Sequence, residues 1–302
     1  MYVLKYIGLG NSHLEEGISC QDYAASKERG DQTILALADG CGAYEISQNG
    51  AHGNVDAVTE WFAEEGRGEL ENLFRSPEQL KKNVLNAIST NLTRIAGNLG
   101  QKDNNGLSAT LLFAVHNKKC AKLLLGHIGD GHIFCFSKNG VLLKESAPEN
   151  GSRKNVTYFA NQSDALSHFR LALLDASDVA DVMLCSDGLD EFLLEKGEGD
   201  AAIGAQLMLA EMREKKVIND ANFAEYLRDA YSGMISNIQD DWSVLVLRTD
   251  NKNPQKNSAR PQPDVMTYAY LERYFKQQPL ARKYSEELYE KARNDYLKKI
   301  TE

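Results

Sequence analysis

Residues 106–136 read GLSATLLFAVHNKKCAKLLLGHIGDGHIFCF. The stretch contains three short runs, Leu107–His116, Ala121–Ile128 and His132–Phe136, each aliphatic or β-branched and bounded by turn signals. Three strands follow one another with no helix between them, which favours antiparallel hairpins over repeated βαβ units. Working outward, Thr33–Ala38, Asp181–Cys185 and Ser243–Arg248 have the same character. Residues 46–65, 78–97, 200–214 and 220–235 have helical patterning. The expected class is α+β.

Composition limits the function classes. The chain has 302 residues, 42% hydrophobic and 25% charged, which is ordinary for a globular protein able to bury a large core. Its formal charge of −9 argues against a nucleic-acid scaffold, which must neutralise phosphates. No apolar run reaches the roughly 20 residues of a bilayer span, and the apolar start of the N-terminus is too broken for a signal peptide. Five cysteines without a CxxC pair read as buried free thiols. The expected setting is cytoplasmic, with neither membrane nor nucleic acid as partner.

Composition changes near residue 250. Residues 251–302 contain no glycine, four of the six prolines, and 11 Lys/Arg against 7 Asp/Glu, a charge of +4 beside −13 for residues 1–250. The polar, proline-broken stretch 251–263 reads as a linker. Beyond it, Leu280, Tyr284, Leu288, Ala292, Tyr296 and Ile300 fall on one helical stripe, after a shorter stripe of Val265, Tyr268, Leu271 and Phe275. Three parts are expected: a domain over 1–250, the linker, and a helical extension over 264–302 that mediates self-association or docking.

The most informative motif recurs. ILALADG ends in Asp39-Gly40, LLLGHIGDG in Asp130-Gly131 and VMLCSDG in Asp187-Gly188, while DDWSVLVL opens with Asp240-Asp241. In an antiparallel sheet the end of one strand lies beside the start of its neighbour, so these segments can deliver aspartates to one rim. GISCQD offers Asp22 as a fifth. Asp-Gly is also a favoured hairpin turn, and Asp241 alone reads as a solvated strand flank. Taken together, several carboxylates on one rim repel unless cations neutralise them, and Mg²⁺ and Mn²⁺ prefer oxygen ligands.

NSHLEEGISCQDYA, ALADGCGA, GLSATLLFAV, LGHIGDGHIFCF, MLCSDGLDEFL and DDWSVLVL stand in the order of the motifs of metal-dependent type 2C protein phosphatases. The chain resembles that family from about residue 5 to 249. Ser12-His13, Cys20-Gln21-Asp22 and residues 155–159 look like a divergent bacterial branch. The resemblance implies two stacked antiparallel β-sheets flanked by helices, a four-layer α-β-β-α sandwich. It further implies a phosphoprotein Ser/Thr phosphatase with two or three Mn²⁺ or Mg²⁺ ions, acting on the targets of a Ser/Thr kinase. Asp39 matches the aspartate that bridges two ions, and Gly40 the residue whose carbonyl meets one of them. Asp187 and Asp240 match ligands of the other ion. Asp22 matches an aspartate acting directly or through water. Asp130 with Asp187 matches a weaker third site, which Glu191 or Asp190 would complete. A bridging water is the implied nucleophile.

Some residues depart from the pattern. The family's phosphate-gripping arginine, five residues before the first aspartate, is Gly17 here, and His13 is the candidate substitute. Cys41 follows the Asp-Gly pair where relatives carry His or Met. His127, His132 and Cys135 resemble a zinc set only superficially, because the two histidines would face opposite sides of a strand. A cysteine phosphatase is excluded, since no cysteine has arginine six residues on. An aspartate-nucleophile phosphohydrolase wants Asp-x-Asp, which Asp39-Gly40-Cys41 is not. The alternative is a pseudophosphatase serving as a phosphoprotein-binding or regulatory module. Gly17 favours it, while the retained Asp22, Asp39, Asp187 and Asp240 oppose it. A role carried by the tail alone is a further alternative.

Overall fold

The structure, a computed structural model, describes residues 1–66, 70–150, 157–235 and 237–249. The linker 251–263, the helical extension 264–302, and Asn155 and Val156 lie outside the described residues.

Elements are numbered in chain order. The strands are β1 (Tyr2–Gly8), β2 (Tyr23–Arg29), β3 (Gln32–Ala38), β4 (Leu111–Asn117), β5 (Lys122–Ile128), β6 (His132–Ser137), β7 (Leu142–Ser146), β8 (Arg170–Asp175), β9 (Val179–Cys185) and β10 (Trp242–Arg248). The helices are α1 (Asn11–Glu16), α2 (Ser47–Ala63), α3 (Leu70–Phe74), α4 (Pro77–Asn98), α5 (Ala165–His168), α6 (Asp190–Lys196), α7 (Ala201–Glu214) and α8 (Asp220–Ile235). Two five-stranded sheets form, in the orders β1-β10-β9-β6-β7 and β2-β3-β4-β5-β8, with every pairing antiparallel.

Strand alternation divides the core into three layers. Along β3, Ile34, Ala36 and Ala38 face α2 and α4, where they meet Val55, Val58, Phe62, Val84 and Ile88. Leu35 and Leu37 face the other sheet and pack with Leu245 and Leu247 of β10. Val244 and Val246 turn outward onto Met208, Leu209 and Phe223 of α7 and α8. Each interior strand thus buries both faces, and the four-layer sandwich expected from the resemblance is the fold.

Three local expectations are corrected. The run from Leu107 does not pair until Leu111, because Asn105–Leu107 form a short 3₁₀ turn. Residues 108–110 instead bond the loop after β3: the Cys41 N–H donates to the Ser108 carbonyl and the Thr110 N–H to that of Asp39. His127 and His132 lie not on one strand but on β5 and β6, in different sheets. All five cysteines are free, yet only Cys135 and Cys185 are buried.

Candidate metal centre

Strand register places the aspartates. Tyr23 pairs with Ala38, so Asp22, just before β2, lies beside Asp39, just after β3. Cys185 pairs with both His132 and Val244, so Asp187 lies near the β5–β6 turn that carries Asp130 and near the start of β10. The two sheets are joined at this end by Ser186, whose hydroxyl donates to Asp22 Oδ2 over 2.6 Å. The backbone N–H of Ser243 donates back to that hydroxyl at 2.9 Å.

Oxygens of Asp39, Asp130 and Asp187 all lie within 4.8 Å of one another. Burial is the largest cause of their electrostatic stress, and their mutual charges add to it. The Asp22 carboxyl is pushed up to about 6 and that of Asp187 to about 7. Asp39 is driven well above its ordinary value by burial and by the charges of Asp22, Asp187, Asp240 and Asp130. Asp130 is raised as well, by burial and by the charges of Asp190 and Asp240. Asp240 is exposed at the mouth, where its side chain accepts the Asp241 N–H.

These residues fit hard divalent cations. The donors are all oxygens, the charge density needs neutralising, and Asp22 Oδ1 and Asp187 Oδ1 are buried without a hydrogen-bond partner among the described residues. At Gly40 an added Cβ would stand 2.8–2.9 Å from backbone atoms of Ser47 and Gln21, so the chain there can approach only as glycine.

Other expected residues are placed differently. His13 does not stand free: its Nδ1 lies 2.9 Å from Asp241 Oδ2. Asp241, expected as a solvated flank, is only 2% exposed and also accepts the backbone N–H groups of Gly10 and Gln21. Gly17 has φ +69° and is the left-handed C-cap of α1, a conformation that favours glycine over arginine. Glu191 is exposed on α6 and does not join the cluster. Its neighbour Asp190 lies 3.0 Å from His132 Nε2, and its charge acts on both Asp130 and Asp187. Ser186 and Ser243 were not marked by the sequence, and Asp241 was read only as a strand flank, since nothing in serine or in a second aspartate announces a partner distant in the chain.

A family model described as protein phosphatase 2C matches residues 9–250. The chain belongs to the protein phosphatase 2C family. It is accordingly a protein serine/threonine phosphatase, of a family whose cofactor is Mn²⁺ or Mg²⁺. No curated protein matches the chain. Solved structures share the fold at low identity. The serine/threonine phosphatase of S. agalactiae has a TM-score of 0.59 at 15% identity, covering 82% of this chain and 99% of that one. Stp1 of Staphylococcus aureus has a TM-score of 0.53 at 14% identity, covering 82% of this chain and 94% of that one. The catalytic domain of PstP, in complex with two manganese ions, has a TM-score of 0.50 at 17% identity, covering 81% and 96%. No helix among the described residues is long and apolar enough to cross a membrane.

Proposed function

We propose that this phosphatase hydrolyses phosphoserine and phosphothreonine esters of proteins at a binuclear Mn²⁺ or Mg²⁺ centre. The observation that carries the reading is the approach of Asp39, Asp130 and Asp187 within 4.8 Å, with the buried Asp22 electrostatically coupled to Asp39. In this reading Asp39 would be a ligand common to the ions, and the Gly40 carbonyl would hold one of them. Asp187 and Asp240 hold the other, and Asp22 acts directly or through water. Asp130 and Asp187, with Asp190 rather than the exposed Glu191, form the weaker third site. When bound, such ions would supply an acidified water as nucleophile and neutralise the phosphoryl oxygens.

The chain's own residues hold and orient. Ser186 fixes the Asp22 carboxylate, and the Thr110 hydroxyl accepts the Asp39 N–H at 2.9 Å, which sets the angle at which Asp39 leaves β3. Asp241 turns His13 so that Nε2 is the ring nitrogen left to meet substrate phosphate, in the place an arginine holds elsewhere in the family. A protein phosphoester is made by a Ser/Thr kinase, so such a kinase supplies the substrate. The setting proposed is cytoplasmic signalling, with the 264–302 stripe as the surface for self-association or docking.

The test is hydrolysis of phosphoserine and phosphothreonine peptides with and without Mn²⁺, for the wild type and Asp39→Asn. Mn²⁺-dependent release of phosphate that Asp39→Asn abolishes supports the reading. Phosphopeptide binding without hydrolysis under any metal condition replaces it with the pseudophosphatase.

A further inference from the structure

The space between the sheets is largely apolar, and a cluster of polar side chains gathers at one lateral edge. There β7 ends one sheet and β8 ends the other. Lys144 and Ser146 pair with Cys135 and Ile133, whose side chains face the space between the sheets, so both point inward. His127 and Arg170 are cross-strand partners on the same inward face as Leu125 and Ala172. Leu125, His127, Lys144, Ser146, Arg170 and Ala172 line a cavity of about 160 Å³, together with Glu145.

Its polar groups are short of partners. Arg170 Nη1 donates to the Ala147 carbonyl at 2.6 Å, and Nε lies 3.3 Å from Glu149 Oε2. Nη2 is buried and has no hydrogen-bond partner among the described residues. His127 is 1% exposed; its Nδ1 meets the Ser146 hydroxyl at 2.8 Å, while Nε2 is left without a partner among the described residues. Both carboxylates near the cavity are already engaged. Glu145 lies 3.7 Å from His132 Nδ1, and Glu149 accepts from His168 Nδ1 at 2.8 Å. Lys144 adds an ammonium group. An acceptor that fills the space would meet the unpaired Arg170 Nη2 directly.

We propose that the Arg170–Lys144–His127–Ser146 cavity binds one phosphate-type oxyanion, free or carried on a peptide, separately from the carboxylate centre. The size agrees: at about 30 Å³ per water, the cavity has room for a tetrahedral oxyanion and one or two waters. A planar guanidinium offers directed N–H groups to phosphate oxygens, and lysine adds a point charge. The site touches the centre through the backbone, since the Glu149 N–H donates to Gly129, next to Asp130.

The test is calorimetric titration of the full Asp39→Asn chain, in which the metal centre is disabled, with inorganic phosphate. A second arm uses a peptide carrying a non-hydrolysable phosphonate. One saturable site is expected, weakened about tenfold or more by adding Lys144→Gln and lost on adding Arg170→Gln. Lys144 is exposed on an edge strand, so its substitution leaves the fold intact even where that of Arg170 does not. Binding in the first arm assigns free phosphate, and binding only in the second assigns a peptide-borne group. The proposal is overturned if neither ligand binds, if Lys144→Gln has no effect, or if a crystal soaked in phosphate holds only ordered water in the cavity.

Discussion

Ser186 Oγ donates to Asp22 Oδ2 over 2.6 Å, and so ties the residue after β9 in one sheet to the residue before β2 in the other. The bond is fully buried and lies at the end of the sandwich where the carboxylates converge. Ser186→Ala removes the donor and leaves a buried carboxylate oxygen unmet. Groups that orient metal ligands typically contribute 10–100-fold to affinity or activity. Ser186→Ala should therefore raise the Mn²⁺ concentration needed for half-maximal phosphatase activity by about 10–100-fold, read from a metal titration of the rate.

The second prediction concerns pH in the metal-free protein. Asp22 and Asp187 have folded values of about 6 and 7, above the ordinary 3.8. The folded chain thus holds protons that the unfolded chain releases. Their contribution to stability is fully present below about pH 4 and is lost as pH rises through 6 and 7. In chelator, Asp187→Asn should gain melting temperature relative to wild type at pH 8 and little at pH 5. Mn²⁺ should raise the wild-type melting temperature more at pH 8 than at pH 5, and binding at pH 6 should release protons. A difference between wild type and variant that is independent of pH would contradict the assignment.

Asp241 gathers three donors, the N–H groups of Gly10 and Gln21 and the His13 ring. Removing one partner from a buried charged network costs on the order of 3–5 kcal/mol. Asp241→Ala should be destabilised by about that amount in urea unfolding. His13→Ala should cost much less stability and should raise KM more than it lowers kcat, because it removes a contact made equally in ground and transition states. Unchanged kinetics in His13→Ala would remove it from the substrate site.

The fourth prediction concerns the tail. The family match ends at residue 250, and β10 ends at Arg248. A chain truncated after residue 250 should fold, bind Mn²⁺ and hydrolyse a small phosphoester at the rate of the full chain. It should differ in sedimentation or in its rate on a phosphoprotein. Failure to fold would place residues 251–302 in the core and move the domain boundary.

The sequence by itself determined the six interior strands and the four long helices. The strands β3, β4, β5, β6, β9 and β10 bury nearly every residue, so they read as continuous apolar runs whatever their neighbours. The four strands that went unread, β1, β2, β7 and β8, are the four sheet edges. Their half-exposed residues, such as YAASKER in β2, carry no clear periodic signal, and they become strands because an interior strand offers them a ladder. The same division holds at the centre. Asp39, Asp130 and Asp187 were legible because each closes an apolar run at a glycine turn, which is local chemistry, whereas Asp22 was marked only by its place in the motif order. The burial of Asp241, its capture of His13, and the Ser186 bridge were decided only by the tertiary structure. Each depends on stacking one sheet on the other or on joining residues more than 160 positions apart, and no local pattern carries that information.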